Sequence, residues 1–377
     1  VGGGPGCDAL HRGHAVATSV TAVRRAAAGA VAGALCGALP DGTLVERYTL
    51  GNGAGMRAVI MSYGARLTEL TVPDRHGRYD DVLVGQADLA GYVACQAYAG
   101  AVIGRCANRL AGACFELDGV SHEVSRNDGR HSLHGGGRGF DRAVWSVTQF
   151  GTTHDGAFVA LRHVSRAGAE GYPGTVTATA TYTLSGAGTL WLDLSAVTDR
   201  ATLVNLTHHP YFNLSGDADV LGHVVRIAAD HYLPVDAARI PTGDVASVAG
   251  TPFDFREPAE LGPRLRAQHA ELELARGYDH HYVARRPPAS VLASVEDPGS
   301  GRRLEILSDA PGAQFYTGNW LDRATSPAGC RQHPRHAGLC IEPQGYPDAP
   351  HHPHFPSAVL RPGETYRNRI GYRFSIA

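Results

Sequence analysis

The chain reads as an all-β protein, an antiparallel sandwich or barrel, on three observations. Apolar residues recur at every second position over long stretches, turn-forming dipeptides separate those stretches, and helical periodicity is scarce. The pattern is clearest in TVTATATYTL (Thr175 to Leu184), where Val176, Ala178, Ala180, Tyr182 and Leu184 share one face and threonines take the other.

The first 34 residues do not share this pattern. They are rich in Gly and Ala, with Arg24 and Arg25 ahead of a weakly apolar run. A signal peptide has a basic start, an apolar middle and a small-residue exit, and this segment carries a poor version of each. The preferred reading is an N-terminal extension over residues 1–34, disordered or a weak leader, followed by one domain over 35–377. Within that domain Ala58 to Val72, Cys114 to Val124, Leu190 to Thr198 and Arg303 to Leu307 alternate as strands do. Pro40-Asp41-Gly42, Pro73-Asp74, Asp118-Gly119, Asp297-Pro298-Gly299 and Arg361-Pro362-Gly363 punctuate them as turns. Ala259 to Arg276 holds a short helix or two, interrupted by Gly262 and Pro263. No linker or fixed repeat divides the region.

Composition narrows the chemistry. With 43% hydrophobic and 19% charged residues the chain is of soluble globular type, and a net charge of -2 leaves no basic footprint for nucleic acid. All 34 positive residues are arginine, so lysine Schiff-base chemistry and the phosphate-loop lysine are both excluded. Seven cysteines, an odd number with no CxxC pair, read as free thiols in a reducing compartment. No stretch approaches the roughly 18–20 apolar residues of a membrane span.

Polar islands interrupt the strands: GRCANRL (Gly104 to Leu110), HSLHGGGRGFD (His131 to Asp141), LTHHPYFNL (Leu206 to Leu214), YDHHYV (Tyr278 to Val283), QFYTGNW (Gln314 to Trp320) and the run from Gly338 to Pro356 that holds Glu342. Each has a plain structural reading. Arg105 and Arg109 suit surface charges, Tyr211 and Asn213 suit a loop cap, and the Gly135 to Gly139 cluster suits a turn, because no helix pattern follows it. His351, His352 and His354 invite a metal reading, but without HExxH spacing and with Pro353 between them they fit a solvated loop better. Glu342 and His209 stand out as a carboxylate and an imidazole suited to moving protons near neutral pH, with aromatic neighbours fit for a ring-shaped substrate.

Taken together and in this order, the six islands resemble the aldose 1-epimerase (mutarotase) family. Its members carry GR-x-AN-R, LHGG-x-x-GFD-x-x-W, LTNH-x-YFNL, FDH, QFYTGN and E-x-Q-x-x-PDA-x-x-x-P-x-FP runs, and the likeness extends from about Leu39 to the C-terminus. The resemblance implies a galactose mutarotase-like β-supersandwich that interconverts the α and β anomers of free aldohexoses. It implies Glu342 as the base at the anomeric hydroxyl, His209 as the acid at the ring oxygen and His134 as a second histidine nearby. Asn108, Arg109, Asp279 and Gln314 are implied as hydrogen-bonding partners of the sugar. A base and an acid held on opposite sides of one sugar suffice, and Glu342 needs only a modest upward pKa shift. No cofactor and no metal are expected. The expected partner is a monosaccharide, with no nucleic acid or membrane, in a monomer or homodimer, in the cytoplasm or, should the N-terminal segment be a signal, in the periplasm or outside the cell.

Departures from the family pattern carry their own expectations. His208 stands where Asn is usual and should point away from His209, as strand neighbours do. His131, His351 and His354 replace Asn or acidic residues and bear on the pH optimum. Tyr278 and Trp320 replace Phe and bear on which pentose or hexose fits. Asp279 and Glu342 are the one carboxylate pair that a glycoside hydrolase reading would use.

Overall fold

The computed structural model describes residues 1–2, 24–26, 29–95, 97–285, 291–322 and 329–377. Three antiparallel sheets carry the molecule. Six strands run in sequence order from Arg24–Ala26 through Gly29–Ala38, Leu44–Gly51, Arg57–Met61 and Arg66–Pro73 to Tyr79–Asp81. A nine-stranded sheet begins with Ser146–Thr153, Gly156–Ser165, Val176–Leu184 and Thr189–Thr198, and then takes in the C-terminal strand Tyr366–Ile376. It continues through Arg302–Ser308, Val291–Glu296, Val224–Ile227 and Ala259–Glu260. A five-stranded sheet has the order Ala246–Ser247, Ala229–Leu233, Asp279–Ala284, Gly312–Tyr316, Cys340–Gln344.

Alternation sets which face packs. Val176, Ala178, Ala180, Tyr182 and Leu184 are all fully buried, and Leu190, Leu192, Leu194 and Ala196 of the neighbouring strand lie beside them. One continuous apolar core joins these to Leu50, Ile60 and Leu67 of the six-stranded sheet and to Tyr282, Phe315 and Ile341 of the five-stranded sheet. Each valine, leucine, isoleucine or phenylalanine among them contributes roughly 1.5–3 kcal/mol on burial. The other face of the five-stranded sheet is therefore free to carry polar groups.

Several boundaries differ from the sequence reading. The run Ala58 to Val72 is two strands, turned at Gly64, whose φ of 76° suits glycine. Cys114 to Val124 is a hairpin folded at Asp118-Gly119, whereas Ala259 to Arg276 contains, as expected, two short helices, Leu261–Leu265 and Ala270–Ala275. Residues 29–34, assigned by sequence to the N-terminal extension, form the start of the strand Gly29–Ala38, where Val31 is buried opposite Leu50. Small Ala and Gly side chains hide this strand from any hydrophobic pattern. Residues 3–23 and 27–28 of the extension lie outside the described residues.

The free-thiol reading also changes, because Cys95 and Cys330 are joined as a disulfide with their Cα atoms 5.2 Å apart. Their separation of 235 positions leaves no spacing signal in the sequence. Among the described residues no helix is long and apolar enough to cross a membrane.

Candidate active site

The polar face of the five-stranded sheet supplies the floor of a cleft of about 340 Å³. Its register places Asp279 opposite Tyr316, His281 opposite Gln314, Gln314 opposite Glu342 and Tyr316 opposite Cys340. Paired residues and those two positions along share a face, so Asp279, Gln314, Tyr316, Cys340 and Glu342 gather on one side while Phe315 and Ile341 enter the core. Loops close the cleft from above. All seven side chains implied as site residues line it: Asn108, Arg109, His134, His209, Asp279, Gln314 and Glu342. Each is between 2% and 8% exposed.

His209 follows the short strand Thr207–His208, which pairs with Val102–Ile103. Its own backbone is held on both sides, donating to the Ala101 carbonyl at 3.0 Å and accepting from the Gly100 N–H at 2.8 Å. The imidazole then lies with Nε2 3.6 Å from Glu342 Oε1 and Nδ1 3.4 Å from Cys340 Sγ. The two groups expected to act as base and acid thus lie side by side within one cleft.

Asn108 and His134 lock each other. Both have left-handed backbones, with φ of 62° and 52°. The Asn108 N–H donates to His134 Nδ1 at 3.2 Å, and the His134 N–H donates to the Asn108 carbonyl at 3.0 Å. A ring nitrogen that accepts cannot carry the proton, so neutral His134 presents Nε2–H to the cleft. Arg109 is aimed by Asp128 (2.8 Å from Nε) and by Asp279 (3.6 Å from Nη1), while Gln314 Nε2 donates to Asp279 Oδ1 at 2.8 Å. Tyr98, Tyr211, Tyr316 and Trp320 complete the walls. The ring of Tyr98 stands 4.6 Å from that of His134, and the ring of Tyr211 stands 5.0 Å from that of His209.

Electrostatics follow from burial. Desolvation, reinforced by the charge of Asp279, pushes the Glu342 carboxyl well above its ordinary range, further than the modest rise expected from sequence. Desolvation brings His209 down to about 4 and holds His134 well below the usual imidazole value. Burial thus disfavours charge on both groups, and the pair shares one proton between carboxyl and imidazole. Moving it to the imidazole leaves the net charge of the pair unchanged. The resulting ion pair at 3.6 Å would be worth about 5 kcal/mol at an effective dielectric of about 20.

Other sequence-flagged residues fall elsewhere. His208 points away from the cleft into the core, between Tyr182 (3.0 Å) and Tyr372 (2.9 Å), with burial lowering it to about 3. Arg105 is buried rather than a surface charge, bonded to Ser165, Pro173 and Arg166. Tyr278 packs in the core with its hydroxyl on the Pro252 carbonyl, so it does not shape the cleft, whereas Trp320 does. Asn213 caps its loop by accepting from the Ser215 and Gly216 N–H groups, and Tyr211 lines the cleft. His351 and His352 lie beside Asp348, and His354 meets the Gly243 carbonyl. His131 accepts from the Gly112 N–H.

Sequence reasoning passed over Tyr98, Asp128, Tyr316 and Cys340. Strand alternation from Glu342 would have flagged Cys340, and pairing with Cys340 would have flagged Tyr316; nothing local marks Tyr98 or Asp128.

Comparison with known proteins gives the family. Residues 46–373 match the family model described as aldose 1-epimerase. The chain is 43% identical over 348 residues to the human galactose mutarotase, covering 91% of this chain and 98% of that protein. It is 36% identical over 340 residues to the aldose 1-epimerase of Escherichia coli strain K12, covering 89% and 96%. Among solved structures, an aldose epimerase homologue from C. elegans superposes with a TM-score of 0.79 at 30% identity, over 86% of this chain and 97% of that one. The galactose 1-epimerase of Lactobacillus acidophilus NCFM gives 0.81 at 27% identity, over 92% and 99%. With the match running through all three sheets and every strand that supplies the cleft, this chain belongs to the aldose 1-epimerase family.

Proposed function

We propose that the protein interconverts the α and β anomers of free aldohexoses such as galactose and glucose by general acid/base catalysis at Glu342 and His209. The observation that carries the reading is the 3.6 Å approach of the two groups inside one buried cleft. The anomeric and ring oxygens of a pyranose are bonded to the same carbon, so two neighbouring side chains reach both from one side. In its ionised form Glu342 takes the proton of the anomeric hydroxyl while protonated His209 gives one to the ring oxygen, and the C1–O5 bond breaks. Rotation about C1–C2 turns the other face of the aldehyde to the same groups. The reverse transfers close the ring as the opposite anomer, and both groups return to their starting states.

The remaining residues hold the sugar. Arg109 and Asp279 each offer more than one hydrogen-bonding position to adjacent hydroxyls, Asn108 and Gln314 add amide groups, and His134 Nε2–H points toward the ring oxygen. A wrong epimer leaves some of these buried groups unpaired, which is the basis for discrimination.

Polarimetry on freshly dissolved α-galactose tests the assignment. Glu342→Gln should lose measurable acceleration, a loss of at least about 10³-fold within the range of general base removal, while galactose binding survives. His209→Asn should come close to it. Normal turnover in either variant sinks the roles. Binding without acceleration in the unmodified protein would indicate a sugar-binding module, and cleavage of a glycoside would indicate a hydrolase.

A further inference from the structure

We propose that His209, Cys340 and Glu342 form an inhibitory site for a thiophilic divalent cation, zinc in particular. Strand alternation puts Cys340 and Glu342 on one face of Cys340–Gln344, and His209 lies against both. A ring nitrogen, the sulfur and a carboxylate oxygen lie within 4.8 Å of one another. Zinc bonds of about 2.0–2.3 Å at tetrahedral angles put neighbouring donors roughly 3.4–3.6 Å apart. The 3.4 Å contact of His209 Nδ1 with Cys340 Sγ already meets that spacing; Glu342 Oε1 now lies 3.6 Å from the other ring nitrogen, Nε2, so its carboxylate must swing toward Nδ1 to complete the set, all donors being within 4.8 Å.

Two further observations favour a cation here. Among the described residues Glu342 Oε2 is buried without a hydrogen-bond partner, which leaves a carboxylate oxygen available. Charge also balances: a dication with a thiolate, a carboxylate and a neutral imidazole sums to zero, the tolerable state for a site buried to 4% exposure or less. On binding, the thiol and the Glu342 carboxyl each release a proton and both ligand bonds form to the metal. Glu342 and His209 line the cleft and Cys340 lies beneath them, so the cation occupies the cleft floor, with its fourth position facing the sugar-binding space. Bound there, it takes the lone pairs that the anomer exchange requires.

The inhibition arm rests on the acid/base reading above, whereas metal binding does not, so cobalt spectroscopy separates the two. Cobalt(II) added to the purified protein should give a near-ultraviolet thiolate-to-metal charge-transfer band that zinc abolishes by displacement. Cys340→Ser should lose the band and weaken zinc inhibition of mutarotation, measured against its own metal-free rate, by at least about 10-fold, the lower end of what loss of even a supporting group costs. Glu342→Gln should weaken cobalt binding similarly. Galactose should raise the cobalt concentration for half-saturation of the unmodified protein, which keeps the test open should Cys340→Ser fail to fold. A band that persists in Cys340→Ser, equal zinc inhibition of both proteins, no zinc binding, or no competition by galactose would overturn the site. A cobalt band with no loss of mutarotation would leave the metal site standing and overturn its inhibitory role.

Discussion

Asp279 touches two of the groups that hold the proposed substrate and tunes a third. Its Oδ1 accepts from Gln314 at 2.8 Å, its Oδ2 lies 3.6 Å from Arg109, and its charge helps raise Glu342. The identity of this residue was legible from the YDHHYV island, but its influence on the base was not, because that depends on two strands being paired through a third. Replacing it by Asn removes a negative charge beside Glu342, so the proton affinity of the base falls. The acidic limb of the kcat pH profile should therefore move to lower pH in Asp279→Asn, with KM raised about 10-fold by loss of a charged hydrogen bond worth about 1.5 kcal/mol. An unmoved limb would exclude this coupling.

Individual elements position the site through a few backbone contacts. Gly100 sits at φ 68°, and a Cβ there would stand 1.9 Å from the Leu67 carbonyl oxygen. Its carbonyl accepts the Leu67 N–H and its N–H donates to the His209 carbonyl, so one glycine ties the strand Arg66–Pro73 to the proposed acid, His209. Gly100→Ala combines a left-handed cost of about 1–2 kcal/mol with a backbone clash, for an expected loss of about 3 kcal/mol in urea unfolding. Because the shift is transmitted to His209, kcat should drop at least 10-fold; wild-type stability and rate would refute this role. The sequence marks Gly100 as one of 47 glycines with no pattern around it. In contrast, Val176–Leu184 was readable from its threonine alternation, because one face of that strand packs against a single continuous core.

At the scale of the whole molecule, buried histidines set the response to acid. Burial lowers His163, His209 and His223 to about 4 and His208 and His281 to about 3, and it holds His134 well below 6.5. A depressed imidazole takes up its proton first in the unfolded chain, so these groups remove stability as pH falls from about 6.5 toward about 4. Glu342 and Asp141 are raised, and Asp81 is raised to about 6, which acts in the opposite sense over part of the window. His333 and His336 are lowered too and Asp193 is raised, so among the described residues eight depressed histidines outweigh four raised carboxyls. Urea midpoints should decline steadily from pH 6.5 to pH 4.5; a flat or rising midpoint would contradict the burial of these rings.

The sequence by itself determined the all-β class, the family and the polar islands whose side chains line the cleft. Period-two alternation follows from the local geometry of a strand, and the polar islands are contiguous runs that survive as motifs. Only the tertiary structure decided that Gly29–Ala38 joins the first sheet, that Cys95 bonds Cys330, that His134 presents its Nε2 proton, and that Glu342 and His209 stand adjacent with the carboxyl raised and the imidazole lowered by burial. Those outcomes depend on register, burial and approach between residues distant in the chain, and desolvation is a property of the surroundings that no local run of residues encodes.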